Sequence, residues 1–190
     1  MQISTNRLLL RPFRDGDRLT NAQIFADPEV RRFALNVLDL DAANARLDRA
    51  IAEYAERGFG MLAVEDRHDG SLIGMVGLTG FGAALRAAIP SQPRLQIAWQ
   101  LARHVWGQGL ATEAALAMLE HAWSALREIE VVAITASINM PSRRVMVKIG
   151  MRHEPSNDFL HPDIPIGHPL RPHVLYRITR SPPPTQLPRT

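Results

Sequence analysis

The stretch His104–Ala114, HVWGQGLATEA, places two glycines one residue apart directly before a run with helical spacing. A helix N-terminus carries unpaired backbone N–H groups and a partial positive charge, so it attracts anions. Glycine at 107 and 109 leaves the approach to those groups clear of side chains. The stretch therefore predicts either an anion-binding loop, formed by the amides of Gly107 through Ala111, or an ordinary turn that starts a helix.

Two common phosphate-binding patterns do not fit this stretch. The dinucleotide fingerprint requires a third glycine at the helix opening, where this chain has Thr112. The P-loop requires a Lys followed by Ser or Thr after its second glycine, and the chain has no such sequence. If the loop binds phosphate, it does so in another structural setting.

Composition limits the classes of protein to which the chain can belong. At 190 residues it has room for one domain, and we predict a domain over residues 1–180 followed by a Pro-rich tail at 181–190. The absence of cysteine excludes disulfides, thiolate metal sites and a thiol nucleophile. The net charge of +3 comes from scattered basic residues with few aromatics, which argues against nucleic-acid binding. No apolar run is long enough to span a membrane, so we expect a cytoplasmic protein.

Apolar periodicity predicts alternating helices and strands on both sides of the glycine stretch. The predicted strands are 6–13, a hairpin over 60–81, 95–102, 130–136, 151–159 and 173–180, and the predicted helices are one after Asp15 or Asp17, one from Asp27 with Pro28 at its first turn, 41–57, 110–126 and one from Pro141 to Gly150. In helix 41–57 the apolar positions are Ala45, Leu47, Ile51, Ala52 and Ala55. This order indicates an α+β fold with a mostly antiparallel sheet and a central strand–helix–strand unit.

Several phrases in this order resemble one family. WGQGLATEA and NMPSRRVMVKIGM are similar to the GNAT superfamily of acetyl-CoA-dependent N-acetyltransferases. The start TNRLLLRPFRDGD, the phrase DPEV, and the Asn and Ser of NMPS resemble the branch typified by ribosomal-protein N-terminal acetyltransferases. The resemblance covers about Asn6 to Arg180. It implies a single GNAT-type domain whose sheet of six or seven mixed, mostly antiparallel strands is flanked by helices and splayed at the centre, where acetyl-CoA enters.

The resemblance also implies a set of site residues. The amides of Gly107, Gln108, Gly109, Leu110 and Ala111 would hold the CoA pyrophosphate. The main chain of Trp99, Gln100 and Leu101 would pair with the pantetheine arm, and Asn139 would contact the arm from the other side. Ser142 lies where this branch protonates the departing thiolate, and Arg103 and Lys148 are candidate partners for the CoA phosphates.

Two positions depart from the family pattern. His104 stands where Arg or Gln is usual, which matters little because the main chain binds there. Gln96 stands where relatives often have a Glu that is a candidate general base, and an amide cannot accept a proton in this way. An α-amine has a pKa of about 7.7 to 8.0, against about 10.4 for lysine, so it needs less help to attack. We therefore expect direct attack by an amine, with a water or a carboxylate such as Glu65 or Asp158 removing the proton.

The histidines His161, His168 and His173 lie in a Pro-rich loop together with Asp163. Their spacing matches no zinc pattern, so we predict no metal site. Instead, the loop Leu160–Pro172 and the segment Phe25–Ala55 are expected to shape the acceptor pocket. Trp106 is interpreted as a packing residue and is left out of the site.

The leading functional prediction is an N-acetyltransferase that uses acetyl-CoA as cosubstrate and acts on a protein N-terminus, a peptide or a small-molecule amine. The alternative is a catalytically degenerate module that still binds CoA and serves as a sensor. Gln96, in place of a candidate general base, favours this alternative. A purely structural partner protein would leave the glycine loop unexplained. We expect no nucleic-acid or membrane partner, and a homodimer, since two-fold dimers are the commonest soluble assembly.

Overall fold

The computed structural model of the chain describes residues 1–180, and the predicted tail at 181–190 lies outside them. Five helices are present among these residues: α1 Arg18–Ala26, α2 Leu40–Arg57, α3 Ala83–Ala88, α4 Leu110–Ser124 and α5 Met140–Lys148. Nine strands accompany them: β1 Ile3–Ser4, β2 Leu8–Arg11, β3 Met61–Asp66, β4 Leu72–Thr79, β5 Gln96–Leu101, β6 Glu130–Ala136, β7 Arg152–His153, β8 Phe159–Leu160 and β9 Pro172–Thr179. None of the helices in this part of the chain has the length and apolar character needed to cross a membrane.

All nine strands form one sheet in the order β1-β2-β3-β4-β5-β6-β9-β7, with β8 also pairing with β9. Every pairing is antiparallel except that of β5 with β6, which is parallel and limited to the single partner pair Gln96 and Val132. Beyond this contact β5 and β6 diverge. Because β1, β7 and β8 are only two residues long, six strands carry the sheet, and its splayed centre confirms the predicted fold.

The glycine stretch leads into α4, whose buried side packs on β4 and β5. Ala115, Met118 and Ala122 are fully buried there, as the helical spacing of the sequence predicted. On β5, Ile97 and Leu101 enter the same core cluster, whereas Ala98 packs against a separate cluster on the other face around Phe25. The strict alternation of β5 thus joins two cores through one central strand.

Four details of the predicted elements are wrong. The phrase DPEV does not start a helix: Asp27 ends α1, and turns follow, with the Asp27 carboxylate accepting from the backbone N–H of Glu29 at 2.8 Å. In α2 the buried positions are Ala43, Leu47 and Ala50, so the apolar stripe is rotated from the predicted one. The predicted strand 151–159 is divided into β7 and β8 by a short helical turn, and α3 has no counterpart in the prediction.

The start of α1 has an aspartate that does not cap the helix with its side chain. Asp17 occupies the N-cap position, but its side chain makes no cap hydrogen bond to α1. Its carboxylate instead accepts from the buried Arg11 guanidinium at 2.7 and 2.8 Å, and from the backbone N–H of Arg14 at 2.7 Å. Burial alone would raise the pKa of Asp17, yet these bonds lower it. Asp17 therefore fixes β2 against the start of α1.

Candidate active site

A cavity of about 510 Å³ lies where β5 and β6 separate. One wall is formed by the end of β5, the glycine loop, the start of α4 and the cavity side of α5. The opposite wall is formed by residues 29–34, in the turns that follow α1. We call these the cofactor wall and the acceptor wall.

The edge of β5 presents main-chain groups to the gap. Because antiparallel partners exchange hydrogen bonds at alternate residues, and Ala102 N–H donates to Ile73 in β4, the main chain of Gln100 also faces β4. A Cβ built on Gly74 of β4 would collide with the Gln100 carbonyl, which confirms this direction. Trp99 and Leu101 have the opposite parity, so their main-chain groups face the gap. The predicted main-chain contact is therefore available at Trp99 and Leu101 and not at Gln100.

The glycine loop has the backbone conformation that the sequence suggested. Gly107 and Gly109 adopt φ values of +78° and +79°, in the left-handed region that favours glycine. Within residues 1–180, the N–H groups from Gly107 to Thr112 donate to no protein acceptor. A Cβ added at Gly107 would meet no atom within 4 Å, so the space beside this residue is open, and Gly107, Gly109 and the first turn of α4 line the cavity. Six consecutive free donors at a helix N-terminus form a site suited to an anion.

Thr5 and Arg7, which precede β2, bind the glycine loop and the first turn of α4. Arg7 donates from Nη1 to the Gln108 carbonyl at 2.9 Å and from Nε to Glu113 at 2.7 Å. Glu113 also accepts from the Thr5 hydroxyl at 2.6 Å and from the Arg7 backbone N–H at 2.9 Å. Burial alone would raise the pKa of Glu113, but the bonds from Thr5 and Arg7 lower it. Glu113 thus stays ionised and anchors the first turn of α4.

Asn139 and Ser142 lie together at the start of α5. Asn139 is the N-cap: its Oδ1 accepts from the Ser142 backbone N–H at 3.2 Å. Its Nδ2 donates to Thr135 Oγ1 at 2.8 Å and to Ser142 Oγ at 3.1 Å. Because Ser142 Oγ accepts that bond, its own hydroxyl hydrogen is free to be donated elsewhere. Both residues line the cavity, so the pair can supply a proton there.

The acceptor wall is fastened to the cofactor wall by side chains. The Gln100 side chain donates to the Val30 carbonyl at 3.2 Å. The Arg32 guanidinium lies 5.2 Å from the centre of the Trp106 ring, and Trp106 Nε1 donates to the Leu101 carbonyl at 2.8 Å. Trp106 lines the cavity, so its interpretation as a packing residue outside the site is incomplete. These contacts also occupy the Leu101 carbonyl and leave its N–H directed to the gap.

The cavity brings together most of the predicted site residues. Those that line it are Trp99, Gln100, Leu101, Gly107, Gly109, Leu110, Ala111, Asn139, Ser142 and Lys148. Arg103 is exposed and does not line the cavity. The Gln108 side chain turns back to the His104 carbonyl at 3.3 Å and is likewise outside it.

The predicted carboxylate bases do not reach this cavity. Glu65 is bound to Arg11 at 2.6 Å, and Asp158 is bound to His153 at 2.9 Å. Neither side chain lines the cavity, and Gln96, at the junction of β5 with β6, does not line it either. Among the described residues, Glu29 is the one carboxylate on its walls, and it lies 3.2 Å from Arg32. The proton acceptor proposed from Glu65 or Asp158 therefore has no geometric support.

The Pro-rich loop lies away from the cavity. No residue of 160–172 lines it, so within the described structure the acceptor wall comes from the earlier segment alone. The rings of His161 and His173 are 4.8 Å apart and pack beside Phe159. His168 instead accepts from the Leu170 backbone N–H. Over residues 1–180 no group of three or more His, Cys, Asp or Glu side chains converges on a common point, and the absence of a metal remains a prediction.

Comparison with known proteins identifies the family. Residues 7–152 match the family model described as the acetyltransferase (GNAT) domain. The chain belongs to the GNAT family. Transfer of an acetyl group from acetyl-CoA to an amine is the general reaction of GNAT acetyltransferases. The chain is 30% identical over 180 residues to the uncharacterised N-acetyltransferase YnaD of Bacillus subtilis, covering 94% of this chain and 96% of that one.

Solved structures share the GNAT fold with this chain. A GNAT-family acetyltransferase from Bacillus anthracis has a TM-score of 0.76 at 23% identity, covering 94% of this chain and 98% of that one. RimJ of Mycobacterium smegmatis, solved in complex with CoA-disulfide, has a TM-score of 0.71 at 21% identity, covering 100% of this chain and 90% of that one. The second structure shows that a protein of this fold binds a CoA derivative.

Sequence reasoning missed several residues that shape the site. Arg7 was predicted only as part of the strand 6–13, and Glu113 only as part of the helix 110–126. Their partners lie more than 100 positions apart in the chain, so no local spacing could reveal them. Arg144 lines the cavity beside Lys148 and was also missed. Its position one helical turn before Lys148 on the same helix could have signalled it.

Proposed function

We propose that this GNAT protein binds acetyl-CoA in the cavity between β5 and β6 and transfers the acetyl group to an amine held at the acceptor wall. One observation carries the proposal: six consecutive free N–H groups open α4 directly beside the free edge of β5. A diphosphate needs the first feature, and an amide-bearing arm needs the second. An ordinary turn before a helix would require neither.

The residues divide the binding of acetyl-CoA among them. The amides of Gly107, Gly109 and the first turn of α4 hold the diphosphate, and the groups of Trp99 and Leu101 that face the gap pair with the pantetheine arm. Arg144 and Lys148, on the part of α5 that faces the cavity, supply positive charge for the phosphates. Gln108 contributes its main-chain N–H only, because its side chain lies outside the cavity, and Arg103 has no part in this scheme because it does not line the cavity.

The chemistry needs one proton donor and one polarising group. The amine nitrogen attacks the acetyl carbonyl carbon, the C–S bond breaks, and the CoA thiolate takes a proton from Ser142 Oγ, which regains a proton from the solvent. A backbone N–H of the β5 edge polarises the carbonyl oxygen. Asn139 is a positioning residue in this scheme, since its Nδ2 holds Ser142 Oγ as an acceptor and leaves the hydroxyl hydrogen free. Water removes the proton of the amine, because the cavity offers no unpaired carboxylate within the described residues.

A second candidate function is a CoA-binding sensor without turnover. The observation that favours it is the same lack of an unpaired carboxylate, together with Gln96 in place of a general base. Release of free thiol from acetyl-CoA in the presence of an amine panel separates the two candidates. Steady thiol release that depends on the amine supports the enzyme, and tight CoA binding without it supports the sensor.

Calorimetry with coenzyme A tests the part of the proposal on which the rest depends, the binding of CoA at the glycine loop. Gly107→Val places a β-branched side chain in the left-handed region and in front of the free amides, so CoA affinity should fall at least about a hundredfold. Gly70→Val is the matched control, because Gly70 has φ +73° and open space around it in the β3–β4 turn, away from the cavity. Loss of CoA binding in Gly107→Val alone supports the site. No binding by the unmodified protein, or equal binding by both variants, contradicts it.

The proposal also covers the cellular location, the need for a metal and the oligomeric state. We infer a cytoplasmic enzyme that needs no metal, nucleic acid or membrane and that forms a two-fold homodimer. Activity that survives a chelator, and a dimer mass in solution by light scattering, are the expected results.

A further inference from the structure

Arg31 lies on the acceptor wall and, unlike Arg32, forms no ion pair with any of the described residues. Its Nε donates to the Asn36 carbonyl at 2.9 Å, and its guanidinium carbon lies 5.5 Å from the centre of the Phe25 ring. Phe25 is 1% exposed, so this platform is rigid. The remaining N–H groups of Arg31 have no acceptor within residues 1–180, and the residue lines the cavity. A half-buried guanidinium is thus fixed in place with its terminal donors unused.

A second arginine reinforces the positive charge at the same ring. Arg46 of α2 lies 5.2 Å from the centre of Phe25 and makes no ion pair with the described residues. Burial, and after it the charge of Arg46, lowers the pKa of Arg31. Two guanidinium groups on one buried ring repel each other, and each keeps its charge because arginine does not deprotonate in proteins. An anion placed at this wall would relieve that repulsion.

The carboxylates nearby do not provide the anion. Glu29 on the same wall is paired with Arg32 at 3.2 Å. Glu53 on α2 favours the charged form of Arg46, but the two side chains form no ion pair within 4.0 Å. Among the described residues, neither Arg31 nor Arg46 therefore has a carboxylate within ion-pair distance.

We propose that Arg31, reinforced by Arg46, binds a carboxylate group of the acceptor, so that the substrate is an amine that carries a carboxylate, as free amino acids and acidic peptides do. This inference rests on the proposed function, because it assigns the acceptor of the same cavity. Arginine suits this task, since its planar fork can donate two parallel hydrogen bonds to one carboxylate.

The positive charge of the acceptor wall also affects which amines can approach it. The wall repels a simple amine that arrives as an ammonium cation. A carboxylate on the acceptor offsets that repulsion, so the wall selects an amine that also carries a negative charge.

Matched acceptors test the inference. One arm compares L-alanine with L-alaninamide, and the other compares alanyl-aspartyl-alanine amide with alanyl-asparaginyl-alanine amide, each as kcat/KM per unit of free amine. We expect the carboxylate member to be preferred by about tenfold or more in one arm, which identifies the source of the carboxylate. Arg31→Gln should reduce the preference to less than about twofold, and Arg46→Gln should reduce it partly. Arg57→Gln, an exposed position about three turns further along the same helix, should keep it.

A binding measurement separates this inference from the proposed function. Calorimetry of N-acetyl-L-alanine and the acetylated Asp peptide, each against its amide counterpart in the presence of CoA, reports carboxylate binding without turnover. A carboxylate preference that Arg31→Gln abolishes, with no thiol release from any amine, would overturn the transferase and keep the anion site. Equal binding of acids and amides, or a preference that survives in Arg31→Gln, would overturn the inference. Unchanged CoA affinity of each variant shows that it is folded.

Discussion

The two walls of the cavity recognise their ligands by different chemical means. The cofactor wall offers main-chain groups: free amides at the opening of α4 and the edge of β5. The acceptor wall offers side chains, with Arg31 set on the Phe25 ring and Arg32 set on the Trp106 ring. A site made of main-chain groups needs only a backbone that can adopt the required conformation, so a pattern of glycines in the sequence indicates it. A side-chain site depends on which residues the fold brings together, so it leaves no local pattern in the sequence.

The walls also differ in how they are supported. The cofactor wall is braced by Arg7, which precedes β2 and binds Gln108 and Glu113 through hydrogen bonds that span over 100 positions of the chain. The acceptor wall is a run of turns held by the Gln100 side chain and by stacking against the cofactor wall. We therefore expect changes in the cofactor wall to affect CoA and the chemical step, and changes in the acceptor wall to affect the amine alone.

The largest expected effect comes from removing the proton donor. Ser142→Ala should lower kcat about a hundredfold or more, because general acid catalysis typically contributes that much, while CoA affinity stays within about twofold. Steady-state kinetics and CoA calorimetry measure the two quantities. Ser124→Ala is the control, since Ser124 is exposed at the far end of α4. A kcat that changes less than about threefold would remove Ser142 from the chemistry.

A smaller effect should follow when the brace of the cofactor wall is cut. Arg7→Ala removes the bonds to Gln108 and Glu113, so CoA should bind about tenfold more weakly while the KM of the amine is unchanged. Arg18→Ala, an exposed arginine paired with Asp48 far from the loop, should change neither quantity. If Arg7→Ala weakens amine and CoA equally, the two walls are coupled and the comparison fails.

The hydrogen bond from Gln100 to the acceptor wall should affect binding of the amine. Gln100→Ala removes the 3.2 Å bond to the Val30 carbonyl, so the KM of the amine should rise about fivefold, with CoA affinity unchanged. Gln96→Ala is a close control, because Gln96 lies on the same strand and the same face but makes no such bond and does not line the cavity. An increase in KM for Gln96→Ala as large as for Gln100→Ala would show that the effect is general to β5.

No effect on the site is expected from a change at His173, which lies outside both walls. Burial, as the largest cause, lowers the pKa of His173 from 6.5 to about 4. The unfolded chain therefore takes up the proton first, and the free energy of unfolding should fall as pH drops from about 6.5 towards 4. His173→Phe should flatten this part of the profile in urea titrations and leave CoA and amine affinity at neutral pH unchanged. A wild-type profile that is as flat as that of the variant would contradict this.

The parts of the fold that were predictable share a physical cause. α4 and β5 were predicted because their apolar residues repeat at the helical and strand periods. The loop at Gly107 and Gly109 was predicted because glycine is favoured where φ is positive. DPEV was misjudged because a Pro after an Asp is typical of a helix start, whereas here the Asp27 carboxylate closes a local turn.

The sequence by itself determined the α+β order, the glycine loop and the position of Asn139 and Ser142, because periodicity, backbone freedom and helix capping act over a few neighbouring residues. The tertiary structure alone decided that β5 and β6 part after one residue pair, that Arg7 braces the loop and that Arg31 faces the cavity. It also decided that Glu65 binds Arg11 and that Asp158 binds His153, both away from the cavity. A side chain's partners depend on segments far apart in the chain, and only packing of the whole domain brings those segments together.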